Sequence, residues 1–327
     1  MSLSFNLVTV LCAGLIEAGF GYPARLLDRI GHPVMWIGAL LERLERHLND
    51  PSLPEAERRR NGWVALALLL AATALPAFLL QYAVLWLPAP LALVILACLA
   101  SAFIAQRSLY EHVAAVADAL DEGGIEAGRD AVARIVGRDT SALDEAGVAR
   151  AAMESLAENF SDGVVAPVLW GAVLGLPGMV AYKAINTADS MIGHRTPRHE
   201  AFGFAAAKVD DGVNLPASRL AAFFLALAAL FHDGADFHRA VETVRRDADT
   251  HRSPNAGWPE AAMAGALGLR LSGPRVYHGA LTGDEWIGEG REEANSADIR
   301  RALGLYRTAC TVQIVALGVL AVFIALL

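Results

Sequence analysis

Six apolar runs, at residues 5–20, 63–87, 89–106, 164–182, 216–231 and 309–327, constrain this chain more than any other feature. Several approach the roughly 20 residues that a helix needs to cross the hydrocarbon core of a bilayer. A backbone in lipid must satisfy its own polar groups, so runs of this length read as helices. No alternating strand pattern of any length accompanies them. A mean hydropathy of +0.39, with 55% hydrophobic and 19% charged residues, is too apolar for an ordinary soluble domain. The expectation is an all-α, polytopic integral membrane protein. It has about five transmembrane or re-entrant helices in one membrane-embedded catalytic domain, 1–327, plus amphipathic helices in cytoplasmic loops 24–62, 107–163 and 232–308.

Arginine placement sets the expected orientation. Arg25, Arg29, Arg43, Arg46 and Arg58 to Arg60 precede the second run, and Arg107, Arg129, Arg134, Arg138 and Arg150 follow the third. The positive-inside rule places both loops in the cytoplasm, giving a multi-pass protein of the cell (inner) membrane with a cytoplasm-facing site. The net charge of −8, with no basic stripe, excludes nucleic acid as a partner. Cys12, Cys98 and Cys310 lie far apart in apolar runs and read as small hydrophobes.

Between the runs, Leu109, Val113, Val116 and Leu120 recur at helical spacing and stop at Gly123-Gly124. A later helix is expected to start at Ser141, with Asp144 three residues on, and to run to about Asn159. The run 164–182 contains Pro167, Gly171, Gly175, Pro177 and Gly178, poor material for a straight span. A broken helix beside a polar cavity is expected there, because irregular backbone survives in a membrane only where it is buried or wetted.

Three polar clusters stand out. Glu154, Glu158 and Asp162 advance by four residues and form one stripe at the edge of an apolar run. Like charges so spaced repel by about 0.2–0.5 kcal/mol per pair, and a charge near the bilayer centre costs roughly 2.5–3.5 kcal/mol. A cation held between them resolves both problems. The second cluster runs from Lys183 through Asn186 and Asp189 to His194 and Arg195, and the third comprises Lys208, Asp210, Asp211 and Asn214. Carboxylate and amide oxygens suit Mg²⁺, which commonly bridges one or two carboxylates to substrate phosphates, while lysine and arginine balance phosphate charge. No P-loop, nucleophile elbow or dinucleotide-binding loop is present. On these residues alone a ligase, an intramembrane Mg²⁺-dependent prenyltransferase and a cation-coupled transporter all stay open.

Longer stretches narrow the choice. HPVMWIGALLERLE from His32, RSLYEHVAAVADAL from Arg107, IVGRDTSALDEAGVARAAMESLAENFSDGVVAPVLW from Ile135, YKAINTADSMIGHR from Tyr182, FGFAAAKVDDGVNLPASRL from Phe202 and SPNAGWPEAAMAGALGLRLSGP from Ser253 together resemble the membrane-bound adenosylcobinamide-phosphate synthases of cobalamin biosynthesis. The resemblance implies an ATP- and Mg²⁺-dependent ligase that joins adenosylcobyric acid to (R)-1-aminopropan-2-ol or its O-phosphate. The implied partners are the corrinoid, the amino alcohol and membrane lipid, with a homo-oligomer or other late-pathway enzymes around them. On that basis Glu154, Glu158, Asp162 and Asp189 are the expected metal ligands. Asp210, Asp211, Lys183, Lys208 and Arg195 are the expected catalytic groups, and His32, Asn159, Asn186, Asn214, Asn255 and Trp258 the expected substrate contacts. Many members read like an acid before Pro where this chain has Tyr22-Pro23, leaving Glu17 as the nearby carboxylate.

Overall fold

A computed structural model describes residues 2–326 apart from Arg195, 274–275, 278–279 and 282–284. Among the described residues the helices are α1 (Leu3–Phe20), α2 (Ala24–Ile30), α3 (Pro33–Leu48), α4 (Glu55–Val84), α5 (Ala89–Ser101), α6 (Gln106–Val132), α7 (Glu145–Phe160), α8 (Ala166–Ile192), α9 (Phe204–Ala228), α10 (Phe237–Asp247), α11 (Gly257–Leu267) and α12 (Ser296–Leu326). A π-helical turn, Ser161–Val165, joins α7 to α8. Strands are confined to the two-residue pieces β1 (Leu271–Ser272), β2 (Val276–Tyr277), β3 (Ala280–Leu281) and β4 (Trp286–Ile287), paired antiparallel as β1–β4 and β2–β3. The chain is all-α in class, as expected.

Five helical stretches among the described residues are long and apolar enough to cross a membrane: Leu3–Phe20, Glu55–Val84, Ala89–Val132, Glu145–Ile192 and Ser296–Leu326. Their outer faces carry large apolar side chains open to the surroundings, including Leu68, Leu75, Phe78 and Leu79 on α4 and Val319, Val322 and Phe323 on α12. Such continuous apolar surface belongs against lipid. The run expected at 216–231 falls in α9, which is not one of the five. That helix carries Lys208, Asp210, Asp211 and Arg219 along with its apolar residues.

The chain forms two compact units, one comprising Met1–Ala105, Ala166–Asn214 and Leu317–Leu327, the other Gln106–Val165 and Leu215–Ala316. In the first, Ile37 and Leu41 of α3, Ala65, Leu66 and Leu69 of α4, and Ala184, Ile185, Ala188 and Ile192 of α8 close a core with Phe202, Ala205 and Ala206. The apolar stripe of α8 repeats at helical spacing. Lys183, Asn186 and Asp189 fall between its members and stay half-buried on another face. In the second unit the Leu109, Val113, Val116, Leu120 stripe is buried in α6, which changes direction at Gly124. α7 starts later than the sequence suggests. Asp144 is its N-cap, accepting the Gly147 N–H at 2.7 Å, and lies outside the helix.

The expected break in 164–182 occurs at Gly175, whose φ of 72° and ψ of −159° interrupt α8. That conformation is open to glycine and essentially closed to other residues. The break frees the Leu176 N–H, and Gln81 of α4 accepts it through Oε1 at 2.8 Å. Gln81 is itself buried, so a side-chain amide from a neighbouring helix replaces the missing intrahelical bond.

A charge network around the buried Glu45 carboxylate ties the loop after α8 to α3. Glu45 accepts Arg198 through both oxygens, at 2.7 and 3.1 Å, and also meets His199 Nε2 and Asn49 Nδ2. The Arg198 hydrogen bonds hold the Glu45 carboxyl below its usual 4.5, against the opposing effect of burial. A carboxylate with a depressed folded pKa contributes stability that is present above the unfolded value and is lost as pH falls through the folded one. Thermal stability in detergent is therefore expected to fall as pH drops below the usual 4.5, and Glu45→Gln should flatten part of that fall. An unchanged pH profile in the variant would remove Glu45 from this role.

Candidate active site

In the first unit, α8 and α9 each present a polar face built on three- and four-residue spacing. Tyr182, Lys183, Asn186 and Asp189 come from α8, and Lys208, Asp210, Asp211 and Asn214 from α9. A buried relay links the helices: the Tyr182 hydroxyl donates to Asn214 Oδ1 at 2.9 Å, and Asn214 Nδ2 donates to Asp210 Oδ2 at 2.9 Å. Asn214 is 1% exposed, so its amide orients its neighbours instead of facing solvent. Asn186 also bonds the Asp210 carboxylate and accepts Lys183 Nζ at 3.1 Å. The other Asp210 oxygen, Oδ1, is buried with no hydrogen-bond partner among the described residues. Burial, reinforced by the Asp189 carboxylate, pushes the Asp210 pKa up to about 7.

Asp189 completes this group. Its carboxylate makes no hydrogen bond or ion pair with the described residues, and its charged neighbours include Asp210 and Asp211. Gly193 leaves it room, since a Cβ there would collide with Asp189 Oδ1. Lys208 and Asp211 form an exposed pair at 3.3 Å. His32 caps α3, accepting the Val34 N–H at Nδ1, and the positive charge of Lys183 adds to burial in lowering its pKa. The Tyr22 ring meets His32 edge-on at 4.4 Å and its hydroxyl donates to Gly31 O, so Tyr22 closes the loop into α3. Arg195 lies outside the described residues.

The remaining expected residues fall in the second unit. Glu154 is buried, pairs with Arg138 at 3.0 Å and accepts the Ser272 N–H at 2.8 Å, so both of its oxygens are engaged. Glu158 is exposed and Asp162 half-buried in the π-turn, so the stripe read from spacing separates into three environments. Asn159 donates to the Ser155 carbonyl at 2.9 Å. Asn255 accepts Ser218 Oγ and Arg219 Nη1, each at 3.1 Å, and Trp258 lies under the Arg219 guanidinium at 4.3 Å.

No three His, Cys, Asp or Glu residues among those described converge to hold a metal unaided. The first unit nevertheless fits Mg²⁺ shared with phosphate, which needs one or two hard oxygen donors. Asp189 and Asp210 Oδ1 are two such acceptors with no donor among the described residues. Sequence reasoning missed Tyr182. The available signal was the four-residue spacing of Tyr182–Asn186 on one helix and Asp210–Asn214 on the next.

A family model described as CobD/Cbib protein matches residues 10–306. The chain is 50% identical to a cobalamin biosynthesis protein CobD of Rhodobacter capsulatus over 321 residues, 98% of each chain. It is 48% identical over 316 residues to the protein of that name in a Sinorhizobium species, covering 95% of this chain and 97% of the relative. A third, from Rhizobium meliloti, is 46% identical over 317 residues, 96% of each. No solved structure matches.

Proposed function

Because this chain belongs to the CobD/Cbib family of cobalamin biosynthesis, we propose that it is the membrane ligase joining adenosylcobyric acid to (R)-1-aminopropan-2-ol or its O-phosphate, with ATP and Mg²⁺. The observation that carries the site assignment is the buried Oδ1 of Asp210, without a hydrogen-bond partner among the described residues, beside the Asp189 carboxylate. A carboxylate does not acylate an amine at neutral pH, so the reaction is read as passing through an acyl phosphate formed from ATP. The attacking amine arrives as an ammonium and must lose a proton to become a nucleophile. Asp210 Oδ1 is the acceptor for that proton, with Oδ2 fixed by Asn214 and through it by Tyr182. Lys183 and Lys208 supply positive charge to developing phosphoryl oxygens, and Asn186 holds Lys183 in place. Bound Mg²⁺ would neutralise triphosphate charge, and Asp189 is the carboxylate to hold it.

The site is assigned to the cytoplasmic side, where ATP is available, in keeping with the arginine-rich loops. Asp189→Asn keeps the side chain's size and removes one of the three neighbouring carboxylates, Asp189, Asp210 and Asp211. Purified variant in detergent is expected to need about tenfold more Mg²⁺ for half-maximal adenosylcobinamide formation, since ligand charge sets affinity at such sites. A wild-type Mg²⁺ dependence would take Asp189 out of the metal site.

A further inference from the structure

In the second unit, Arg219 of α9 is held in a way that a merely solvated arginine is not. The two N–H groups of its Nη1 are shared among four acceptors, the Leu215 and Pro254 carbonyls at 3.3 and 3.0 Å and Ser218 Oγ and Asn255 Oδ1 at 3.0 and 3.1 Å. The guanidinium lies over the Trp258 ring at 4.3 Å, a cation–π contact that fixes its plane. Ser218 is fully buried and Asn255 nearly so, and they bond each other at 3.1 Å, making the cradle rigid. One end of the guanidinium is therefore saturated, whereas Nε and Nη2 have no acceptor among the described residues.

Other features of the locus favour an anion as well. Trp258 Nε1 is buried with no acceptor among the described residues. α11 begins here at Gly257 with no side-chain cap hydrogen bond on its first N–H groups, and Glu260 is the acid of its first turn. Asp249 is the carboxylate whose charge acts on Arg219, and it forms no ion pair with it. A planar guanidinium fork of fixed orientation, with Nε and Nη2 lacking acceptors among the described residues, matches the acceptor-only oxygens of phosphate.

We infer that Arg219, held by Asn255, Ser218 and Trp258, is a phosphate-binding subsite of this protein. Resting on the ligase reading, the phosphate it takes belongs to one of two substrates, the O-phosphate of the amino alcohol or the triphosphate of ATP. Asn255 and Trp258 then act as positioning residues for the guanidinium.

The test is equilibrium binding to the purified full-length chain in detergent, without turnover. The probes are inorganic phosphate, aminopropanol O-phosphate, ATP and unphosphorylated aminopropanol, set against wild type, Arg219→Ala and Arg219→Lys. Arg219→Ala is expected to weaken at least one phosphate-bearing probe by about tenfold or more, as befits a charge-assisted bidentate contact. Aminopropanol itself should be unaffected, and Arg219→Lys should recover only part of the loss. Loss confined to aminopropanol O-phosphate assigns the subsite to the acceptor, and loss confined to ATP assigns it to the nucleotide. Phosphate-bearing probes that bind both variants as tightly as wild type would overturn the inference. If Arg219→Ala fails to fold by circular dichroism, Arg219→Lys carries the comparison with the same two outcomes. Because binding is read without catalysis, a protein that binds phosphate through Arg219 but forms no amide would refute the ligase reading alone.

Discussion

Asp210→Asn is expected to lower the rate of amide formation by about 10²–10⁴-fold, the range general-base removal commonly costs. The argument is one of shape against chemistry. Asparagine occupies the same volume and still offers an oxygen to Asn214 Nδ2, so the Asn214 amide keeps its orientation toward the Tyr182 hydroxyl of α8. What disappears is the anionic oxygen facing the site with no partner of its own among the described residues. The KM for adenosylcobyric acid should change little, and melting in detergent should stay close to wild type. Tyr182→Phe provides the control for positioning. It removes the hydroxyl that orients Asn214 and should lower kcat by about tenfold, less than loss of the base itself. If Asp210→Asn turns over at the wild-type rate, Asp210 is not the proton acceptor, whatever Tyr182→Phe does.

Gly175→Ala is expected to destabilise the protein by about 2–4 kcal/mol, combining backbone strain with disruption of a buried polar contact. At φ 72° and ψ −159° the backbone accepts glycine alone. An added Cβ would sit 2.5 Å from Gln81 Oε1, the atom that satisfies the Leu176 N–H. Alanine must therefore either displace Gln81 and leave a buried N–H unpaired or move the second half of α8, which carries Tyr182, Lys183, Asn186 and Asp189. Gln81→Ala isolates the first of these and should cost about 1–3 kcal/mol. A Gly175→Ala protein that melts with wild type and ligates normally would show that the break in α8 does not set the position of the site.

The two variants mark where reading the sequence succeeded and where it stopped. Helical spacing and apolar run length led to an all-α membrane chain, and the Gly and Pro residues between 164 and 182 announced an interrupted helix. Which residue broke it was not legible, because the deciding partner, Gln81, is 95 positions from Leu176. The same limit governs the acidic stripe. Glu154, Glu158 and Asp162 look equivalent by spacing, but Arg138, 16 residues upstream, neutralises the first, and a π-turn changes the helical repeat at the last. Local pattern identifies which residues are chemically capable. Tertiary contacts decide which of them have been spent on structure.

The polar faces of α8 and α9 were legible as clusters because carboxylates, amides and lysines at three- and four-residue spacing are visible in one dimension. Their internal division of labour was not. Asn214 and Asp210 share a helix and are both buried, and only their hydrogen bonds separate an amide that orients from a carboxylate whose Oδ1 has no partner among the described residues. Trp258 and Asn255 were singled out as substrate contacts, and the folded chain adds that both lie against Arg219, which their spacing did not show.

The central claim is that this membrane protein makes an amide bond, and one assay addresses it directly. Purified protein in detergent is incubated with adenosylcobyric acid, Mg²⁺, ATP and either aminopropanol or its O-phosphate, and the corrinoid mass and nucleotide products are measured. The account predicts a corrinoid heavier by the amine less one water, formed one for one with ADP and orthophosphate, and absent without ATP or Mg²⁺. Unaltered adenosylcobyric acid with both amines, together with isoprenoid-dependent diphosphate release or substrate accumulation in sealed proteoliposomes, would contradict it.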